Sequence, residues 1–213
     1  MDRVAASRSR RHESPALLHF RRFLAHPVRL SSALPVSRAV ARMIAAQVDP
    51  ADGGHVVELG SGTGAVTRAL LEAGVPASRL IAVEIDSEMA EYLAELLPDI
   101  TMIQGSAADI GTLLPPEARG RIGSVVCGVP ISMLDAQEQA AMIEAIHALE
   151  PSDGRFLAYS YRLCSPLHAA RLGLTGERLG FTLRNAFPAS VWAFRAADPV
   201  RGEAAGTKQT DNG

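Results

Sequence analysis

The sequence predicts an α/β protein with a seven-stranded, mostly parallel sheet that ends in an antiparallel hairpin. From residue 55 onward, short apolar runs alternate with longer segments of helical periodicity, the order expected of parallel βα units. The last two strand-like runs are separated only by Pro188 and Ala189, too few residues for a crossover helix, so they must pair antiparallel. The predicted strands are His55–Leu59, Leu80–Glu84, Ile100–Gln104, Ile122–Cys127, Arg155–Tyr159, Phe181–Phe187 and Ser190–Arg195.

Helical periodicity between these runs predicts the covering helices. Ser87 stands where an N-cap is expected, and Asp135 with Glu138 three residues later forms a capping-box pattern. A mostly parallel sheet closed by an antiparallel hairpin is typical of Rossmann-like class I methyltransferases and less expected of nicotinamide-binding domains. The predicted helices are Gly64–Ala73, Ser87–Leu97, Ser106–Leu114 and Asp135–Leu149.

Two further helices are predicted before the sheet. The segment Ala16–His26 places apolar side chains along one side of a helix, and Ser37–Val48 forms the second helix. We expect residues 1–15 to be a disordered basic leader and residues 16–48 to bind a membrane or cover the site. Residues 49–197 are expected to form the catalytic domain, and residues 198–213 a disordered tail.

Charge is unevenly distributed along the chain. The formal net charge is -2, yet residues 1–42 carry nine arginines against two acidic residues, a balance of +7. A basic head on an acidic body indicates an anionic partner, although a solvated leader explains the charge equally well. No apolar run is long enough to span a bilayer, and the two cysteines lack metal-ligand spacing, so no metal is expected.

The glycine-rich segment Val57–Gly64 predicts a nucleotide site. It follows one strand and opens a helix. Its spacing is G-x-G-x-G, whereas the dinucleotide-binding motif is G-x-G-x-x-G. A carboxylate at Glu58 opposes a pyrophosphate but suits the ammonium of a methionine moiety, which favours S-adenosylmethionine, with S-adenosylhomocysteine as product. The expected cofactor-binding residues here are Glu58, Gly60, Ser61, Gly62, Gly64 and Thr67.

The next two strand ends complete the predicted cofactor site. Glu84 ends the second strand and can accept hydrogen bonds from both ribose hydroxyls, with Ile85 beside it. After the third strand, the adenine amino group can be read by the backbone of Ser106 and Ala107 or by the Asp109 carboxylate. The sequence leaves these alternatives open, because Asp109 is also suited to start a helix.

The loop after the fourth strand is expected to meet the methyl acceptor. Nucleic-acid amino methyltransferases usually carry Asn or Asp, then Pro, then an aromatic residue here, whereas this chain has Gly128, Val129, Pro130 and Ile131. Base methylation is therefore disfavoured, and no nucleic-acid partner is expected. Candidate catalytic residues are Pro130, Tyr159 and Tyr161, and Arg162 is a candidate phosphate partner.

Several stretches resemble the soluble bacterial phospholipid N-methyltransferases. The similarity spans roughly residues 16–196 and rests on 23–29, Pro35–Ser37, Tyr159–Arg162 running into Ser165-Pro166, and 185–192. The resemblance implies transfer of methyl groups to phosphatidylethanolamine, in up to three rounds, to give phosphatidylcholine. It also implies that Glu58, Gly60, Gly62 and Glu84 hold the cofactor.

The resemblance further implies that the N-terminal helix binds anionic lipid. Membrane contacts are expected from Phe20, Arg21, Arg22, Phe23 and Leu24, because basic residues draw such a helix to anionic headgroups. The expected location is the cytoplasm, with peripheral attachment to the inner face of the cell membrane. The alternatives are an RNA adenine or small-amine N-methyltransferase and a non-catalytic lipid-binding module.

Overall fold

The computed structural model describes residues 36–152, 154–161, 163–183 and 188–197. The predicted leader, the helix Ala16–His26, Arg162 and the tail lie outside the described residues. In the described ranges the helices are α1 (Arg38–Ala45), α2 (Ala65–Glu72), α3 (Ser87–Leu96), α4 (Ile110–Leu113) and α5 (Ala136–His147). The strands are β1 (His55–Leu59), β2 (Leu80–Glu84), β3 (Thr101–Gln104), β4 (Ile122–Cys127), β5 (Arg155–Ser160), β6 (Leu174–Thr182) and β7 (Ala189–Ala196).

The seven strands form one sheet in the order β3-β2-β1-β4-β5-β7-β6. Strands β1 to β5 are parallel, and β7 runs antiparallel between β5 and β6. The predicted fold class is therefore confirmed. Because the chain runs outward from β1 to β3 and then crosses to β4, the strand order reverses between β1 and β4, and a crevice forms at their carboxyl ends.

Alternating strand residues build a core on each face of the sheet. Val57 and Leu59 face the cluster that contains α4 and α5, whereas Val56 faces the cluster that contains α1 and α2. Both faces of β1 are buried after His55, which explains why the rest of the strand is apolar except at Glu58. That exception marks the functional edge of the strand.

Side-chain caps fix where the helices begin. Ser37 is the N-cap of α1, and Asp135 and Glu138 form the predicted capping box of α5. The assignment of Ser87 as an N-cap was wrong. Asp86 caps α3 instead, because its Oδ1 accepts the Met89 N–H at 3.0 Å, and Ser87 is the first helical residue.

The predicted position of the sixth strand was wrong. It was expected at Phe181–Phe187 but spans Leu174–Thr182, and residues 184–187 lie outside the described part. Two glycines interrupt the alternation of apolar and polar residues in this strand, because neighbouring side chains leave no room for a Cβ at either position. A Cβ at Gly176 would lie 2.6 Å from the Phe194 ring, and one at Gly180 would lie 2.7 Å from the Met43 methyl carbon. Most of this edge strand is exposed, so it lacks alternating apolar residues.

Candidate active site

The loop between β1 and α2 presents bare backbone to the crevice. Gly60, Gly62 and Gly64 all have positive φ, at 75°, 50° and 73°, a region that side chains rarely adopt. The N–H groups of Gly60 and Ser61 donate to the Val83 carbonyl at 2.8 and 3.1 Å, which ties the loop to β2. No atom lies within 4 Å of where a Cβ on Gly62 would point, so a ligand can approach this backbone closely.

The glycine loop also packs tightly against the loop after β4. A Cβ on Gly128 would lie 2.6 Å from the Gly60 carbonyl oxygen, a collision with rigid backbone. The Gly128 N–H donates to the Leu59 carbonyl at 2.7 Å and holds the two loops together. Gly128 therefore stands where it does because no side chain fits, and no carboxamide can be presented from this position.

Glu58 is a buried carboxylate at the base of the crevice. Only 2% of its surface is exposed, and one carboxylate oxygen, Oε2, accepts the Thr67 hydroxyl at 2.7 Å. The pKa of Glu58 is raised to about 7, chiefly by burial; the Thr67 hydrogen bond opposes the rise, and the nearby charge of Glu84 adds to it. A cation placed beside Glu58 would stabilise its charged form, so the site suits an ammonium group.

Glu84 ends β2 and is held by three backbone donors. Its Oε2 accepts the Gly62 N–H at 2.8 Å, and its Oε1 accepts the N–H groups of Ile85 and Asp86 at 2.9 and 3.0 Å. These bonds fix the carboxylate in one orientation and link β2 to the glycine loop. Oε1 already accepts two hydrogen bonds, whereas Oε2 accepts one and keeps accepting capacity for a ligand hydroxyl.

A cleft of about 370 Å³ joins these groups at the carboxyl edge of the sheet. Most of the sequence-predicted residues line it, and the cleft also reaches Val129 and Met89. The predicted residues that line it are Glu58, Gly60, Ser61, Gly62, Glu84, Ile85, Ser106, Ala107, Pro130 and Tyr159. The structure therefore brings the proposed cofactor and acceptor residues to one cavity.

Four predicted residues do not line the cleft. Gly64 is the N-cap of α2, packed against Leu93, and Thr67 lies behind Glu58. Asp109 ends the 3-10 turn Ala107–Asp109 with an exposed side chain. Tyr161 contacts the edge of the Tyr159 ring, with centroids 5.9 Å apart. The predicted membrane residues Phe20, Arg21, Arg22, Phe23 and Leu24, and the predicted phosphate partner Arg162, lie outside the described residues.

Tyr159, near the end of β5, and Tyr161, just after it, differ in their environment. Tyr159 lines the cleft, and burial raises the pKa of its phenol far above the usual range, with Tyr161 and Glu58 adding to the rise. Burial also raises the pKa of Tyr161, which sits behind Tyr159. Tyr159 is therefore a neutral phenol in the cleft, able to share hydrogen bonds but not to act as a phenolate base.

Sequence reasoning missed the cleft residues that helices contribute. Met89 comes from α3, whereas Glu138 and Met142 come from the first two turns of α5. The signal was present in the spacing, since Glu138 and Met142 are four residues apart and share a helix face. From the sequence, Glu138 is predicted only as part of a capping box, and Met142 is given no role.

The residues present fit S-adenosylmethionine. Glu58 suits the ammonium, the bare Gly62 backbone admits close approach, and the Glu84 carboxylate suits ribose hydroxyls. The walls beyond are apolar, as an adenine ring requires, with Ala107 and Met142 among them. In the described ranges, no cluster of three or more His, Cys, Asp or Glu side chains is arranged to hold a metal ion.

Comparison with known proteins assigns the class. Residues 56–154 match the family described as a methyltransferase domain, a span from β1 to just before β5 that contains the glycine loop and Glu84. Together with the sheet order, this match defines an S-adenosylmethionine-dependent methyltransferase domain of the Rossmann-like type. The predicted class of enzyme and its cofactor are confirmed at this level.

Individual relatives point to two kinds of acceptor. The chain is 24% identical over 138 residues to the ornithine lipid N-methyltransferase of Singulisphaera acidiphila, covering 63% of this chain and 72% of that protein. It is 37% identical over 105 residues to ribosomal RNA small subunit methyltransferase A of Phenylobacterium zucineum, covering 47% of this chain and 33% of that protein. The second match spans only about a third of its relative, and it leaves the predicted exclusion of nucleic acid unsupported.

A solved structure shares the fold. The 1,6-didemethyltoxoflavin-N1-methyltransferase of Burkholderia thailandensis, determined with S-adenosylhomocysteine bound, superposes with a TM-score of 0.59. The superposition covers 92% of this chain and 94% of that chain at 19% identity. Identity at this level establishes the fold and leaves the acceptor to be argued from the site.

Proposed function

We propose that this protein transfers methyl groups from S-adenosylmethionine to the amine of phosphatidylethanolamine and its mono- and dimethyl forms, toward phosphatidylcholine. The observation that carries the proposal is the acceptor wall of the cleft. It is formed by Gly128, Val129, Pro130 and Tyr159, and at Gly128 no side chain fits. A wall without a carboxamide or carboxylate suits a small alkyl amine better than the edge of a planar base.

The similarity to an ornithine lipid N-methyltransferase supports a lipid acceptor. That alignment covers 72% of the relative, a larger share than the ribosomal RNA match covers of its relative. Phosphatidylethanolamine offers a primary alkyl amine on a lipid. The proposal extends the lipid class to this particular headgroup.

The chain's own residues align and dry the reacting partners. Bound S-adenosylmethionine supplies an electrophilic methyl group, so the protein needs to position the amine and exclude water. The Tyr159 phenol can accept a hydrogen bond from the amine N–H and turn the nitrogen lone pair toward the cofactor. Because burial raises the pKa of Tyr159, it stays neutral, and the amine must reach it already deprotonated.

Membrane attachment is part of this proposal and rests on the sequence. The helix predicted at Ala16–His26 carries Arg21 and Arg22 beside Phe20 and Phe23, a pattern suited to an anionic headgroup surface. No helix in the described part of the chain is long and apolar enough to cross a bilayer. We propose that the enzyme meets its substrate at the inner face of the cell membrane.

The test is a direct methylation assay. Purified full-length protein is incubated with radiolabelled S-adenosylmethionine and vesicles of phosphatidylethanolamine and phosphatidylglycerol, and the lipids are separated by thin-layer chromatography. We expect label in methylated phosphatidylethanolamine, lost in Glu58→Ala. A variant lacking residues 1–26 should lose vesicle binding and lipid methylation while retaining S-adenosylhomocysteine binding. Unlabelled lipid from protein that binds the cofactor would refute the proposed acceptor.

Methylation of adenine in ribosomal RNA is a second candidate. It is favoured by the 37% identity to ribosomal RNA small subunit methyltransferase A. The matched stretch is a part of that relative, and the lack of room at Gly128 counts against a base-holding side chain there. Incubation of the same labelled cofactor with small ribosomal subunits tests this function, since it requires label in RNA.

A further inference from the structure

One carboxylate in the cleft is not explained by the site described above. Among the described residues that line the cleft, four are acidic, namely Glu58, Glu84, Asp86 and Glu138. The first three belong to β1, to β2 or to the loop that follows β2, where hydrogen bonds fix each of them. Glu138 instead lines the cleft from the first turn of α5.

Glu138 stands beside the part of the cleft that follows β3. Helix α5 packs against the 3-10 turn Ala107–Asp109, which the chain forms directly after β3. Ala141 and Met142 lie three and four residues after Glu138 and line the same cleft, so the three side chains share one helix face. This face of α5 and the turn at Ala107 are therefore two walls of the region where the adenine ring is expected.

One oxygen of Glu138 is held and the other is available. Its Oε2 accepts the Asp135 N–H at 2.9 Å in the capping box, which fixes the carboxylate. Within the described ranges, Oε1 accepts no hydrogen bond. A buried ligand donor entering this region would find a preoriented charged acceptor, and such bonds are stronger than neutral ones.

The residues predicted to read the adenine are poorly placed to accept from an amino group. Asp109 is exposed and does not line the cleft. The backbone carbonyls of Ser106 and Ala107 already accept the N–H groups of Asp109 and Ile110 within the 3-10 turn. The Ser106 hydroxyl already accepts the Ala108 N–H at 3.3 Å. Glu138 is therefore the carboxylate at this end of the cleft.

We propose that Glu138 accepts a hydrogen bond from the exocyclic amino group of the adenine ring and makes the enzyme selective for adenine. A ring with a carbonyl at that position would place an oxygen against the carboxylate, which is repulsive. The proposal rests on the cofactor class and not on the identity of the methyl acceptor. Glu138 would then join α5 to the cofactor as both a helix cap and a specificity residue.

The test compares two product analogues by isothermal titration calorimetry. The full-length protein is titrated with S-adenosylhomocysteine and with S-inosylhomocysteine, which carries a carbonyl in place of the amino group. We expect Glu138→Ala to weaken S-adenosylhomocysteine binding about tenfold, as for loss of one charge-assisted hydrogen bond, and to leave S-inosylhomocysteine binding unchanged or tighter. The preference for adenine should fall at least tenfold.

Asp135→Ala is the matched control. It breaks the same capping box from the other side, and Asp135 does not line the cleft. We expect it to lower the thermal midpoint about as much as Glu138→Ala while keeping the adenine preference. The isosteric Glu138→Gln, which retains helix shape, should also reduce the preference.

Two outcomes would overturn the proposal. Equal weakening of both analogues by Glu138→Ala, or an equal loss of preference in Asp135→Ala, would leave Glu138 as a helix cap alone. If the wild-type protein binds neither analogue, the cofactor assignment itself fails. Loss of lipid methylation alone would not bear on this test, because no acceptor is present.

Discussion

The two halves of the cleft are built in different ways. The cofactor half, between β1 and β2, consists of backbone in left-handed conformations and of carboxylates with fixed partners, such as Glu84. The acceptor half, after β4 and β5, consists of apolar side chains, Pro130 and the Tyr159 phenol. The first half requires particular residue types at particular spacings, whereas the second requires mainly shape. The cofactor can therefore be predicted from this sequence more readily than the methyl acceptor.

The largest expected effect comes from Glu84→Ala. The change leaves the N–H groups of Gly62, Ile85 and Asp86 without their carboxylate acceptor and removes the proposed ribose contact. We expect S-adenosylhomocysteine affinity to fall more than about a hundredfold, because the ligand loses a hydrogen bond to a charged acceptor, worth about 1.5–3 kcal/mol, and the glycine loop loses the bond that orients it. Calorimetric titration measures it. Glu91→Ala, on exposed helix α3 surface, is the control and should bind normally.

The next effect tests the contact between the two halves. Gly128→Ala introduces a Cβ 2.6 Å from the Gly60 carbonyl oxygen, so one of the two loops must shift. We expect the free energy of unfolding to fall by about 1–3 kcal/mol, as for overpacking elsewhere. Chemical denaturation measures it.

Gly111→Ala is the matched control for that substitution. Gly111 lies in α4 with no atom within 4 Å of its would-be Cβ, and its φ is not positive. The substitution should leave stability unchanged or raise it by about 0.5–1 kcal/mol. If Gly128→Ala were equally harmless, the two loops would not constrain each other.

Cofactor affinity should depend on pH through Glu58. Burial raises its pKa to about 7 in the free protein, and the proposed ammonium partner requires the charged form. Affinity for S-adenosylhomocysteine should therefore fall up to tenfold for each pH unit below about 7 and level off above it. Titrations from pH 5.5 to 8.5 measure this slope. A Glu58→Gln variant that kept the same slope would contradict the assignment.

The same raised pKa predicts a stability effect of definite sign. Between pH 4.5 and about 7 the folded protein binds more protons at Glu58 than the unfolded chain does, so stability contributed by this group falls as pH rises through that window. Above it, Glu58→Gln should be more stable than the wild type by up to about 3 kcal/mol. Thermal unfolding without cofactor at pH 5 and pH 8 compares the two proteins.

The smallest expected effect concerns the acceptor half. Tyr159→Phe removes the phenol oxygen proposed to orient the amine, and we expect the methylation rate to fall about tenfold with S-adenosylhomocysteine affinity unchanged. Tyr161→Phe should have a weaker effect, because Tyr161 lies behind Tyr159. If Tyr159→Phe lowered S-adenosylhomocysteine affinity as much as the methylation rate, Tyr159 would contact the cofactor rather than the acceptor.

What the sequence predicted follows the same division. Strands β1, β2 and β4 were placed correctly because both of their faces are buried, which makes them short apolar runs. Strand β6 was misplaced because it is an exposed edge whose Gly176 is dictated by the Phe194 ring. Such a requirement comes from a distant part of the chain, so no local pattern records it.

The site residues show the same limit. The glycine loop and Glu84 can be recognised in the sequence because the backbone turn and the carboxylate at a strand end each depend on a few consecutive residues. Glu138 was recognised only as a helix cap, since its position in the cleft depends on how α5 packs against the turn at Ala107. The exposed position of Asp109 likewise emerges only from the packed structure.

The central claim is that the acceptor is a lipid amine, and a side-by-side assay tests it most directly. The same enzyme and labelled S-adenosylmethionine are given vesicles with phosphatidylethanolamine, vesicles of phosphatidylglycerol alone, and small ribosomal subunits. The account predicts label in the phosphatidylethanolamine fraction, absent from the other two and from Glu58→Ala. Label in ribosomal RNA with none in lipid would contradict it.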